Sequence, residues 1–179
     1  MKFINVVAFA TAASAAAIQD QRSFSLDTLE QVDTTLEAIV TTLNQRNSNS
    51  PETISAIFFQ SRILPLTATI RHEAIKIYRS GKPLPFNDAK RLLAPAENFP
   101  ALATSLRSAL KAENVRAAII QQDVCNGVKS SISGLQDALA GYENDVRRFT
   151  PNIDSNANYN NLVAFVDSLA ETGAMFKDC

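Results

Sequence analysis

Tryptophan is absent from this 179-residue chain, histidine occurs once, cysteine twice and glycine only five times. Each scarcity removes a class of chemistry. Two cysteines and one histidine cannot build the CxxC or HExxH spacings that hold zinc. The lone His72 lies in Arg71-His72-Glu73-Ala74 with no motif marking it as the base for a serine or cysteine nucleophile. The glycines form neither GxGxxG nor a phosphate-binding loop. Excess charge is lacking too: 17 basic residues face 18 acidic ones, so net charge recruits neither nucleic acid nor an anionic membrane. No cofactor, metal or catalytic residue is expected, and the chain reads as a non-enzyme.

Long apolar runs are also missing. The one at the start, Phe3-Ile4-Asn5-Val6-Val7-Ala8-Phe9-Ala10, follows Lys2 and ends in Ala15-Ala16-Ala17. A basic start, a short apolar stretch and a small-residue end describe a secretory signal peptide over residues 1–17. The run falls short of the roughly 20 apolar residues a membrane span needs. A leader over 18–24 and one domain over 25–179 then remain. The expected mature protein is secreted, extracellular or wall-bound, without a transmembrane segment.

What is present is helical periodicity. Between Ile119 and Phe149 the apolar or semi-apolar positions Cys125, Val128, Ile132, Leu135, Leu139, Tyr142, Val146 and Phe149 recur in alternating steps of 3 and 4. This seam belongs to a helix packed lengthwise against near-parallel neighbours. Its partners must come from the rest of the chain. Leu29, Val32, Leu36, Ile39 and Leu43 keep the same spacing in a first helix, with Asp27 and Glu30 as a capping box. Ser50-Pro51 opens a second helix to Ser80, where Pro65 predicts a kink or a split and Gly81 a stop. Asn87 caps a short third helix ended by Pro95, and Asn98-Phe99-Pro100 restarts it. The chain should loosen at 112–115 before the long helix at 119. After Thr150-Pro151, a last helix carries Leu162, Phe165, Leu169 and Phe176 to Cys179. No segment reads as strand. The fold expected is all-α: a single antiparallel bundle of about five helices, the second and third kinked or split at prolines.

Cys125 and Cys179 lie at similar distances from the 150–156 turn, 24 residues before Phe149 and 23 after Asn156. In an oxidising compartment they are candidates for a disulfide, worth about 4 kcal/mol in the chain-entropy model. The basic run Arg71, His72, Lys76, Arg79 and Lys82 reads either as a solvated face or as a site for an anionic head group, with Arg71, Lys76 and Arg79 as candidate contacts. Phe58 and Phe59 are adjacent, so only one can point along a narrow inner stripe.

Three stretches carry a family likeness: Leu26-Asp27-Thr28-Leu29-Glu30-Gln31-Val32-Asp33-Thr34-Thr35-Leu36; Lys82-Pro83-Leu84-Pro85-Phe86-Asn87-Asp88-Ala89; and Phe99-Pro100-Ala101-Leu102 running to Leu110 before the Ser/Leu-rich long helix. In these, and in element order over about 25–176, the chain resembles the fungal hydrophobic-surface-binding protein A family, which includes cell-wall galactomannoproteins. The resemblance implies a secreted, non-enzymatic bundle in the medium or cell wall that adsorbs to hydrophobic surfaces or encloses a long-chain lipid. The two cysteines depart from it. The candidate apolar lining, taken from bulky residues on predicted inner faces, is Phe58, Ile63, Ile70, Phe99, Leu102 and Leu106, together with Leu139, Tyr142 and Phe165. The alternative reading is a secreted protein-interaction module, such as an effector or a bundle that recruits or inhibits a secreted enzyme. A cell-wall polysaccharide is a further possible partner.

Overall fold

A helix with an apolar seam of 25 residues needs a trough to lie in, and three other parts of the chain build one. In the computed structural model, which describes residues 24–45 and 56–177, the long helix is α6, Cys125–Phe149. Its seam from Cys125 to Val146 is buried, and Phe149 packs against the core from its edge. The other long helices are α1 (Thr28–Asn44), α2 (Ala56–Ser80), α4 (Phe99–Lys111) and α7 (Ala157–Ala174). Two short helices complete the set, α3 (Phe86–Leu92) and α5 (Glu113–Gln121), with 3-10 turns at Ala94–Asn98 and Ile153–Ser155. Among the described residues no strand occurs.

The principal packing pairs are α1 with α2, α2 with α6, α6 with α7, α7 with α4, and α4 with α1. These five pairs close a ring. Direction follows from individual contacts. Phe99 meets Phe165 at 4.7 Å, and Arg107 further along α4 reaches Ser168 at 3.2 Å, so α4 and α7 run the same way. Tyr159 bonds Glu143, while Gly173 lies against Ile132, so α6 and α7 run oppositely. Tyr78 stacks edge-on to Phe149 at 6.4 Å at the shared ends of α2 and α6. Along the chain the five long helices alternate up and down, and each turns its apolar seam into the ring.

Several local expectations change. The break before the long helix lies at 122–124, so α6 begins at Cys125 and not at 119. Asp123 makes it by entering the left-handed region at φ 53°, which a short polar side chain tolerates better than most. The expected loosening at 112–115 shrinks to one extended residue, Ala112. α2 runs unbroken through Pro65, which is exposed and has no N–H to give to the ladder. Asp27 adopts helical dihedrals and makes no side-chain cap, so the capping box does not form. Asn87 lies inside α3 instead of capping it. α7 ends at Ala174, before the 175–177 turn. Its N-terminus carries a real cap: Asn156 Oδ1 accepts from the Tyr159 N–H at 3.1 Å. Gly81, at φ +60°, stops α2 where a side chain would be strained. The 1–17 signal peptide, the Ser50-Pro51 helix start and Cys179 fall outside the described residues.

Candidate functional site

The interior of the ring is the largest apolar environment in the molecule. Eight of the nine candidate lining residues are buried in it: Ile63, Ile70, Phe99, Leu102, Leu106, Leu139, Tyr142 and Phe165. They come from α2, α4, α6 and α7, so the ring brings all four seams to one core cluster. Phe58 is the exception. Phe59 is the buried member of that pair, while Phe58 is half-buried, meets Phe59 edge-on at 5.3 Å and lies under the Arg62 guanidinium. The helical phase of α2 decides between them: Phe59, Ile63, Leu66, Ile70 and Ile77 share one stripe.

That stripe contains a carboxylate. Glu73 sits between Ile70 and Ile77 and is only 4% exposed. Its Oε2 accepts from the Ser25 N–H at 3.1 Å, and its Oε1 accepts from Lys76 Nζ at 2.6 Å. It therefore ties the segment before α1 to α2. Tyr142 of α6 feels it as well: burial first, and then the Glu73 charge, hold the phenol's pKa well above its ordinary value. On the far side of α6, burial also raises the Tyr159 phenol, followed by its hydrogen bond to Glu143. Glu73 was not among the residues singled out from sequence, although the 3- and 4-residue spacing from Ile63 passes through it.

The candidate head-group cations point elsewhere. Arg71 and Arg79 are exposed, on the outer side of α2, and Lys76 is turned to Glu73. Arg71 and Arg79 do not reach the interior seam, and Lys76 touches it only through Glu73. Thr28 Oγ1 and Thr67 Oγ1 are hydroxyls buried without a protein partner. His72 is exposed on the same outer side. Among the described residues no three His, Cys, Asp or Glu side chains gather as metal ligands, and no helix is long and apolar enough to cross a membrane.

Surface depressions also lie away from the interior among the described residues. One, of about 500 Å³, runs between α1 and α4 and exposes Asp33, Glu37, Thr41, Asn98 and Ser105 over Val40 and Leu102. Asn98 Nδ2 donates to Asp33 Oδ2 at 3.0 Å across it. Its two carboxylates would repel an anionic ligand. A smaller hollow, of about 210 Å³, lies between α4 and α7 beside the Arg107–Glu171 ion pair.

The ring thus defines an all-α bundle of five long helices around an apolar interior. No family model matches the sequence, and no curated protein does. Solved structures share the fold. Ligand binding domain 1 of the Penicillium marneffei MP1 protein, complexed with arachidonic acids, superposes with a TM-score of 0.67 at 12% identity, over 86% of this chain and 97% of that one. Ligand binding domain 2 of the same protein, complexed with multiple arachidonic acids, gives 0.64 at 10% identity, over 88% and 96%. At such identities the likeness is one of fold.

Proposed function

We propose that this chain is a secreted, non-enzymatic lipid-binding protein that holds a long-chain fatty acid among the helices of its ring. One observation carries the reading. Five helices close around an interior of Leu, Ile, Val and Phe side chains, in the fold of domains solved with arachidonic acid bound. Apolar interiors between bundle helices are favourable sites for a hydrocarbon chain. The acyl chain lies along the α6 seam near Leu139 and Tyr142, against Phe99, Leu106 and Phe165. The carboxyl end takes a hydrogen bond from a buried hydroxyl such as Thr67, since Arg71 and Arg79 are turned outward and Lys76 is engaged by Glu73.

The same reading places the chain outside the cell, after removal of residues 1–17, in the medium or wall, with the hydrophobic-surface-binding protein A family that it resembles. A bridge between Cys125 and Cys179 suits that compartment. What supports it is the opposed run of α6 and α7: Gly173, near the end of α7, lies against Ile132, about two turns from Cys125.

Native mass spectrometry of the delipidated protein with added arachidonic acid tests the proposal. Saturable uptake is expected, and Leu139→Trp, which fills the interior, should reduce it while far-UV circular dichroism stays helical. No adduct, together with no displacement of a fluorescent fatty acid, would overturn it.

A further inference from the structure

α2 carries a second stripe. Leu64, Ala68, Arg71, Ile75 and Tyr78 recur in steps of 4, 3, 4 and 3, the spacing of a packed seam, yet all five face solvent. Leu64 is 59% exposed, Ile75 46% and Tyr78 52%. The stripe is about 21 Å long at 1.5 Å per residue. It ends where α2 meets the end of α6: Tyr78 stacks on Phe149, and Arg148 lies over the Tyr78 ring at 5.3 Å. The connector crosses at the same end, where the Leu84 N–H donates to the Phe149 carbonyl at 2.7 Å, and two residues on Phe86 is exposed.

Charge along this helix is one-sided. From Ala56 to Ser80 the basic residues are Arg62, Arg71, Lys76 and Arg79, all exposed, with His72 beside them. The only acid in that span is Glu73, which is buried and paired. No described carboxylate forms an ion pair with Arg71 or Arg79. The chain as a whole carries a formal charge of −1, so this face departs from the rest of the molecule.

We infer that the outer face of α2 docks the protein on an anionic phospholipid surface, with Ile75 and Tyr78 entering the head-group layer and Arg71 and Arg79 facing lipid phosphates. Charge complementarity selects that occupant: apolar and aromatic side chains flanked by unpaired arginines are the makeup of helices that lie in a membrane interface. Shape agrees, because the stripe is a ridge along one helix and not a groove that would receive a partner's side chains. Tyrosine suits the boundary, with its ring among acyl carbons and its hydroxyl in water.

The inference does not depend on a fatty acid in the interior, and its test uses none. The purified full chain is sedimented with vesicles of phosphatidylcholine and phosphatidylserine, and with phosphatidylcholine alone. Binding to the anionic vesicles that weakens with salt is expected. Each basic residue near such a surface is worth about fivefold in partitioning, so the Arg71→Ala, Arg79→Ala double variant should lose on the order of twentyfold. Because the chain has no tryptophan, Tyr78→Trp supplies a single fluorophore at the face, and its emission should shift to the blue on anionic vesicles. Ile120→Trp, at an exposed position on α5, should not shift. Equal sedimentation with both vesicle types, or none, overturns the inference. So does a Tyr78→Trp shift with soluble polyglutamate but not with vesicles, which would make the partner an acidic polypeptide. Vesicle binding without fatty-acid uptake would overturn the carrier reading alone, and the reverse result this one alone.

Discussion

Replacing Glu73 with alanine should cost more than any substitution of a surface acid in this protein. The carboxylate is buried between Ile70 and Ile77 and accepts two hydrogen bonds, from the Ser25 N–H and Lys76 Nζ. Hydrogen bonds to charged groups contribute about 1.5–3 kcal/mol, and a buried donor left unpaired costs about 1–3 kcal/mol. Lys76 is 41% exposed and can return to water, so its share is discounted and no stranded charge remains on that side. The Ser25 N–H is only part-buried, which trims the orphan cost. We expect Glu73→Ala to destabilise by about 2–4 kcal/mol, a drop in Tm of roughly 5–12 °C for a domain of this size. Glu73→Gln keeps an acceptor for Ser25 and loses only charge assistance, so about 1 kcal/mol is expected. Glu73→Leu exchanges the tie for apolar burial and should fall between the two. Thermal melts followed at 222 nm, with urea titrations to extract free energies, measure the series. Alanine and glutamine variants both within about 0.5 kcal/mol of the parent would refute the role given to this carboxylate, since surface substitutions lie in that range.

Two further expectations follow from the same geometry. Tyr142 holds its proton above the pH at which an unfolded tyrosine, with its pKa of 10.0, gives it up. The folded state therefore binds more protons than the unfolded one above about pH 10, so this group's contribution is intact below that pH and declines as pH rises beyond it. The slope should approach about 1.4 kcal/mol per pH unit for this one group, and Tyr142→Phe should flatten it in urea titrations between neutral and alkaline pH; an unchanged slope would show the phenol is not buried. The proposed Cys125–Cys179 bridge makes the intact protein two hydrogens lighter than the reduced chain, and Cys125→Ser should lower stability by about 4 kcal/mol; alkylation of both thiols in unreduced, denatured protein would exclude the bridge.

How much of this was legible in the sequence varied with how local the cause was. The α6 seam could be read because a 3- and 4-residue repeat sustained over 25 residues has few other meanings, and every member through Val146 is buried. The start of α6 could not. Gln122-Asp123-Val124 contains neither glycine nor proline, and only a left-handed Asp123 breaks the helix. Glu73 was passed over for its chemical type although its spacing placed it on the stripe. Which of Phe58 and Phe59 is the more buried is hard to read for a related reason: adjacent residues differ by about 100° around a helix, and only the full set from Phe59 to Ile77 resolves the phase. Arg71 and Arg79 share α2 with the inner stripe, but each is offset from it, Arg71 by one residue after Ile70 and Arg79 by two after Ile77, which turns them outward. The order of helices around the ring, α1–α2–α6–α7–α4, depends on which seams meet at long range, and periodicity carries no information about that.

The near-balance of charge in this protein conceals a separation. Asp33 and Glu37 open onto the groove between α1 and α4, where no basic side chain lines the walls, while the outer face of α2 exposes basic residues and no acid. A formal charge of −1 therefore hides surface regions of unlike sign. Such a molecule orients as it nears a charged boundary, even though it drifts little in a uniform field. Two copies attract through regions of unlike sign when salt is dilute, and added salt disperses them within a Debye length of about 10 Å at 0.1 M. Its solubility should accordingly rise with ionic strength, opposite to the behaviour of proteins kept apart by a uniform coat of like charge.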